Sequence, residues 1–379
     1  MNLKAEIKAE AKRLGFLLVG ATTLQTPPHF SKYEAWIDQG FHGVMAYLAN
    51  DRARQRRFDP HQILPEATSI LCLALPYAAP LREQRLPNDG NTGQIAAYAW
   101  GPDYHEIIPP RLAQLVAWVE SRLNRPIRWR GYTDTGPILE RELALFAGLG
   151  WIGKNTCLIH PRHGSFFFLA EIFWDVDLEP DQPIQADYCG SCRRCIDACP
   201  TNCILPDRTL DARRCISYQT IENKGSIPVE IRPQLGSWIF GCDICQQVCP
   251  WNIRFAKLPG DPALAPPAEN PMPGLIAEIS LTSEQFNHKY RHSPVLRTRR
   301  RGYLRNVAVA IGNQPDPAAL PSLSQAIARE SEPLVRAHIA WAIAQIGGSP
   351  ARQVLEQAQT VETDETVLTE IQSALETLR

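Results

Sequence analysis

Nine of the eleven cysteines fall between Cys189 and Cys249, and their spacing decides what chemistry they can do. Cys189-x2-Cys192-x2-Cys195-x3-Cys199-Pro200 has the spacing of the bacterial ferredoxin run. In that run three thiolates bind one 4Fe-4S cluster and the fourth crosses to a second. Cys242-x2-Cys245-x3-Cys249-Pro250 mirrors it but supplies only three ligands. Two complete clusters therefore need one more thiolate, for which Cys215 is best placed. The expected sets are Cys189, Cys192, Cys195 and Cys249 on cluster 1, and Cys199, Cys215, Cys242 and Cys245 on cluster 2. Cys203 is expected to have turned away from the metal, and Cys72 and Cys157 to be packing thiols in apolar stretches. Paired C-x2-C units also suit structural zinc, but zinc does not use a third cysteine at x2 and a fourth before proline. A disulfide framework is not expected, because residues 1–15 carry scattered charges with no apolar signal core, which predicts a reducing, cytoplasmic setting.

Other constellations are less telling. Gly148-x-Gly150-x-x-Gly153 satisfies a dinucleotide fingerprint and Gly148-x4-Gly153-Lys154 nearly satisfies a P-loop. Both need a preceding strand, whereas residues 137–147 space their apolar side chains as a helix, so Gly148 reads as a helix C-cap. Asp59-x-His61 starts a corrinoid D-x-H-x-x-G pattern that Leu64 breaks. Asp134 sits in a Gly-Pro-bounded turn, where a carboxylate commonly caps the backbone. Between Phe286 and Pro315 there is no acidic residue, while Lys289, Arg291, Arg297, Arg299, Arg300, Arg301 and Arg305 supply positive charge. His288, Tyr290, His292 and Tyr303 add groups able to stack on bases, so the run predicts RNA contact.

These residues need elements to position them. The chain has 379 residues, a formal net charge of -1 and 44% hydrophobic residues. That composition fits a folded multidomain protein without a global polyanion-binding field, and no apolar run reaches membrane-spanning length. Residues 1–180 alternate amphipathic helices (3–14, 111–123, 138–147) with β-rich runs (16–19, 69–75, 166–173), an α/β pattern. Residues 181–257 form the cluster module. A stretch with six prolines, Leu258 to Pro273, reads as an extended connection, and residues 258–379 as helical repeats: Leu304–Gly312 recurs as Val335–Ile343, with a degenerate third copy from Val367. An offset near thirty residues suggests paired helices of the HEAT kind. The expected fold is thus α+β and multidomain: an α/β domain, a two-cluster ferredoxin-like module and C-terminal helical repeats.

Four segments together resemble the epoxyqueuosine reductase family: Trp100-Gly101-Pro102-Asp103-Tyr104-His105, residues 134–141, residues 148–155, and the cysteine runs with Arg214-Cys215-Ile216-Ser217-Tyr218. The resemblance covers nearly the whole chain, helical tail included. It implies reductive deoxygenation of epoxyqueuosine to queuosine at the wobble position of tRNA. It also implies a cobalamin in the N-terminal domain, base-off and without a protein histidine on cobalt. By the same resemblance Asp134 is the proton donor, and Arg57, Tyr98, Lys154, Asn155, Ser217, Gln219 and Gly241 contact the cobalamin. A flavodoxin- or ferredoxin-type donor, a monomeric state and no membrane association are expected. Two other readings stay open at this point: a ferredoxin-type electron carrier, and a corrinoid reductase acting on a small molecule.

Overall fold

The β-branched and aromatic runs pair as one antiparallel sheet. In the computed structural model, which describes residues 2–79, 91–256, 259–267 and 272–378, the strands are β1 (Leu18–Thr22), β2 (Ser69–Pro76), β3 (Gln94–Ile95), β4 (Trp129–Tyr132), β5 (Trp151–Ile152), β6 (Leu158–Ile159), β7 (Phe167–Trp174) and β8 (Trp238–Phe240). Four of them form the main sheet in the order β1-β2-β7-β4. The two central strands are almost wholly buried, and their register sets Glu171 opposite both Cys72 and Tyr132. β1 starts two residues later than the sequence pattern suggests, because Gly15 and Phe16 still close the end of helix Leu3–Arg13. Gly15, at φ +98°, donates to Lys12, and Phe16 donates to Ala11, the paired bonds of a Schellman cap.

Two helices differ from their sequence limits. The helix expected from Arg111 runs Tyr104–Leu123, because the Asp103 carboxylate caps it by accepting from His105 N at 3.0 Å. The helix expected from Ile138 runs Glu140–Phe146, with Leu139 as its N-cap. It ends as anticipated at a glycine: Gly148 has φ +77°, donates to Leu145, and Leu149 donates to Ala144. Gly20 of β1 lies so close to this end that a Cβ there would stand 2.0 Å from Ala147 O. No strand precedes Gly148, so the nucleotide-binding pattern has no structural basis.

The chain divides into two compact units, each assembled from three segments. One comprises Met1–Arg82, Gly101–Arg213 and Ile244–Ala265; the other comprises Glu83–Trp100, Arg214–Asp243 and Pro266–Arg379. These units interleave along the chain, unlike the consecutive boundaries expected at 180 and 257, and each contains residues of the cysteine module. The proline-rich connection falls partly on residues 258 and 268–271, outside the described residues.

In the second unit the repeated apolar pattern folds as helices Arg299–Gly312, Leu320–Arg329, Pro333–Ile346, Gly348–Val361 and Glu365–Thr377. Leu304, Val307, Ile311, Val335, Ile339, Ile343, Val367 and Ile371 line their common core. Gly312 lets helix Pro333–Ile346 approach closely, since a Cβ there would meet the Trp341 ring at 2.4 Å. Helix Arg299–Gly312 also holds the segment before β8. Arg305 donates to the carbonyls of Gln219, Asn223 and Gly225 at 2.6–2.8 Å, and Asn306 to those of Thr220 and Ile239 at 2.8 Å. Among the described residues no helix is long and apolar enough to cross a membrane.

Candidate functional site

Within the first unit the two cysteine runs meet. Cys189, Cys192, Cys195 and Cys249 line one cavity of about 330 Å³ together with Lys154, Asn155, Tyr188 and Trp251. Short-range geometry places each sulfur: Cys192 N donates to Cys189 O, Cys195 lies on the short helix Arg194–Asp197, and Cys249 precedes helix Pro250–Phe255, whose first residue is proline. Trp151, Ile159 and Trp251 pack against Cys249 and Cys189. Burial, then the neighbouring Cys189 and Cys249, push the Cys195 thiol up to about 11. Several thiolates cannot share an apolar pocket unless a cationic centre offsets their charge. No three His, Cys, Asp or Glu side chains among the described residues converge on a single-ion site; sulfurs spread around a cavity suit the corners of a cluster.

Cys199 and Cys245 also belong to the first unit, and Cys215 and Cys242 to the second. Cys203 differs from expectation. Instead of turning away, it is buried with its sulfur 3.4 Å from Cys199 Sγ, because the tight turn at Asn202, φ +50°, folds the chain back. Cys72 is fully buried as expected, whereas Cys157 is only half-buried.

Asp134 does not cap a helix. It is exposed at φ +60°, in the middle of a turn closed by Thr135 N donating to Thr133 O at 2.7 Å. Such a three-residue turn with positive central φ is rare and strained, a condition that concentrates at functional sites. Tyr104, stacked on Phe168 at 4.1 Å, donates its hydroxyl to Asp134 Oδ2 at 2.9 Å, while Asp134 N donates to Glu140 Oε1. Burial, then the Asp134 charge, push the Glu140 carboxyl up to about 8, against a smaller opposing pull first from the Asp134 N–H and then from Arg141 and Arg57. Near it, Glu171 is fully buried with neither oxygen hydrogen-bonded among the described residues, and burial and the Glu140 charge raise it well above the usual carboxylate range. Tyr104, Glu140 and Glu171 received no role from sequence reasoning. The available signal was a lone acid inside the apolar run of β7.

The other expected contacts are divided in the same way. In the first unit, Arg57 is buried and donates to Ala53 O, and Lys154 donates to the Gly190 and Cys192 carbonyls. Asn155 is buried, with Nδ2 unpaired among the described residues. In the second unit, Ser217 and Gln219 lie on helix Ile216–Ile221, directly after Cys215. Gly241, at φ +67°, donates to Thr220 Oγ1, and a Cβ there would stand 2.6 Å from Ala96 and 3.4 Å from the Tyr98 ring.

The basic run is narrower than its sequence. Arg305 is fully buried, so it is withdrawn from the expected RNA contacts; segment 219–225 covers it and its guanidinium is spent on carbonyls. Tyr290 and Tyr303 are likewise buried, sharing Glu278 through their hydroxyls, and cannot stack on a base. Lys289, Arg297 and Arg300 pair with Glu278, Glu222 and Glu330. Arg291, Arg299 and Arg301 are exposed.

An α/β unit with a strained acidic loop, a two-run cysteine module and a helical-repeat unit define the class of an iron–sulfur oxidoreductase. Residues 188–252 match the family model described as a 4Fe-4S double cluster binding domain, residues 57–135 that of epoxyqueuosine reductase QueG, DUF1730, and residues 295–376 that of HEAT repeats. The epoxyqueuosine reductase of Pseudomonas aeruginosa is 38% identical over 360 residues, covering 91% of this chain and 95% of that one. A solved epoxyqueuosine reductase with a tRNA-Tyr epoxyqueuosine-modified tRNA stem loop superposes with TM-score 0.90 at 33% identity, covering 99% of this chain and 98% of that one. The Bacillus subtilis enzyme, solved with the Asp134 catalytic loop swung out of its active site, gives TM-score 0.89 at 32% identity over 100% and 99% of the chains. The chain belongs to the epoxyqueuosine reductase family. The double-cluster match decides for iron–sulfur over zinc, and the enzyme family over a bare carrier.

Proposed function

We propose that this protein reduces epoxyqueuosine to queuosine in tRNA, with Asp134 as the acid at the departing oxygen. The observation that carries the reading is the strained turn. It presents an exposed Asp134 carboxyl, steadied by Tyr104, in a chain that also contains the double-cluster module. A solved relative holding a modified tRNA stem loop supports the substrate.

Cluster 1 is assigned to Cys189, Cys192, Cys195 and Cys249, which already line one cavity, and cluster 2 to Cys199, Cys215, Cys242 and Cys245. The residues fit a cobalamin as well: Asn155 Nδ2, without a partner among the described residues, is a donor awaiting an acceptor such as a corrin amide, and Lys154 lines the same cavity. Arg57, Tyr98, Lys154, Asn155, Ser217, Gln219 and Gly241 are its proposed contacts, with no protein histidine on the metal. When bound, the clusters supply electrons singly and the corrin supplies a metal centre able to deliver them to a carbon–oxygen bond. The chain's own task is to position the nucleoside and move protons. Tyr104 fixes the Asp134 carboxyl by donating to Oδ2, and Asp134, when protonated, gives its proton to the oxygen leaving the ring. A flavodoxin- or ferredoxin-type protein is the proposed electron donor.

Replacing Asp134 by Asn keeps the size and the tolerance for positive φ but removes the proton. D134N should bind iron and corrinoid as the wild type does and lose turnover by about 10²-fold or more, followed by anaerobic mass analysis of a modified stem loop. Full turnover in D134N overturns the assignment.

A further inference from the structure

Removing an epoxide oxygen consumes more protons than one carboxyl holds. The balance is oxirane plus two electrons plus two protons giving an alkene plus water: both C–O bonds break, the C=C bond forms, and oxygen leaves carrying both protons. The electrons come from the reductase's own relay. Asp134 has one proton, and after giving it up it is an anion beside the oxygen that needs the second.

We propose that Glu140 holds that second proton and passes it to Asp134 between the two protonation steps. The geometry supports the relay. Asp134 N donates to Glu140 Oε1, which fixes the Glu140 carboxyl against the Asp134 turn. Tyr104 holds the other side of Asp134 through Oδ2. The helix that carries Glu140 begins with that residue and has no side-chain cap, so the carboxyl is turned to Asp134 rather than to its own helix end. The surroundings keep the proton in place near neutral pH. Glu171 of β7 stands behind Glu140, Cys72 of β2 faces Glu171 in register, and Asp134 lies ahead of it. Arg57 and Arg141 are the nearby cations. Arg141 donates to Thr156 O and Arg57 to Ala53 O, so both guanidinium groups are engaged with backbone carbonyls. Glu140 therefore gives up its proton close to the working pH, from about 8, whereas Glu171, deeper and raised further, stays neutral.

The sequence of events balances. Asp134 protonates the oxygen once; Glu140 reprotonates Asp134; Asp134 protonates the same oxygen again and water departs. Solvent then refills both carboxyls. This rests on Asp134 being the acid, and Glu140 is a positioning and relay residue that acts only through it.

The test is single-turnover reduction of an epoxyqueuosine-containing stem loop by the fully loaded, pre-reduced enzyme, across pH 6 to 9.5. Wild type should lose rate above about pH 8, as Glu140 ionises. E140Q keeps an acceptor for Asp134 N but has no proton to pass. Its rate should fall by about 10²-fold and the loss of rate near pH 8 disappear. An E140Q enzyme with wild-type rate and alkaline limb overturns the relay. A wild-type rate that stays level from pH 7 to 9.5 overturns it without recourse to any variant, so misfolding of E140Q, detected by lost iron, does not shield it. Turnover by D134N would instead strike the assignment of Asp134, which separates the two failures.

Discussion

Glu171 is the least comfortable residue of the sheet. Its carboxyl is fully buried in β7 with neither oxygen partnered among the described residues, and burying an ionised carboxylate that way costs more than the fold can supply. It stays protonated. A carboxyl whose pKa is higher folded than unfolded contributes its stability in full below the unfolded value, near 4.5, and loses it as pH rises through the folded value. Glu171 and Glu140 are both raised, Glu140 to about 8. Stability should therefore decline from roughly pH 5 upward, by on the order of 1 kcal/mol per pH unit where one group differs. Glu171→Met, of similar volume, should flatten that decline and raise the urea midpoint at pH 8 by an amount equivalent to about 1–3 kcal/mol, compared at equal iron content. A variant as steep as the wild type and less stable would mean that Glu171 has a partner that offsets its burial. The residue was visible in the sequence as a single acid within an apolar strand. Its proximity to Glu140 was not, because residues 31 apart meet only where helix Glu140–Phe146 packs against β7. The Asp134 turn was equally hidden: it is secured by Tyr104, thirty residues upstream, and local turn chemistry alone favours an ordinary cap.

Helix Arg299–Gly312 shows what an element's periodicity does and does not reveal. Its apolar spacing, repeated in Pro333–Ile346, made the helical unit and its core legible, and the HEAT match over residues 295–376 agrees. Its charges were misleading. Arg301 and Arg305 are four apart and share a helical face, yet Arg301 is exposed and Arg305 fully buried. The difference arises from segment 219–225, distant in sequence, which lies over the second of them. That cover has a structural consequence. Arg305 and Asn306 grip the backbone of residues 219–225 and 239, the stretch that begins at Cys215 and ends before Cys242. Arg305→Met would remove three hydrogen bonds made by a buried guanidinium, destabilising the protein by about 3 kcal/mol or more. Iron should fall from about eight atoms per chain toward about four, because the proposed ligand set gives both Cys215 and Cys242 to cluster 2. Arg301→Met should leave iron unchanged. Full iron and an unaltered melting temperature in Arg305→Met would show that the grip is dispensable.

At the scale of the molecule, a net charge of -1 provides no long-range attraction for an RNA, so recognition must come from the local basic surface. Seven cations in sequence reduce to fewer in effect. Arg305 is enclosed, and Lys289, Arg297 and Arg300 already face carboxylates, whose partnership a phosphate would have to replace. Arg291, Arg299 and Arg301 remain exposed. Arg299 in addition occupies φ +56°, ψ 161°, a region that L-residues avoid unless the surroundings enforce it. Each phosphate contact adds about 0.7 to 0.9 to the slope of log K against log salt. Replacing Arg291, Arg299 and Arg301 together by Ala should therefore lower that slope by roughly two. Iron content and the single-turnover rate at saturating RNA should hold, since none of the three belongs to the cysteine runs or the Asp134 loop. Fluorescence anisotropy of a labelled anticodon stem loop between low and moderate salt measures it. An unchanged slope would place the RNA on another face, and the exposed arginines would then be an ordinary solvated surface.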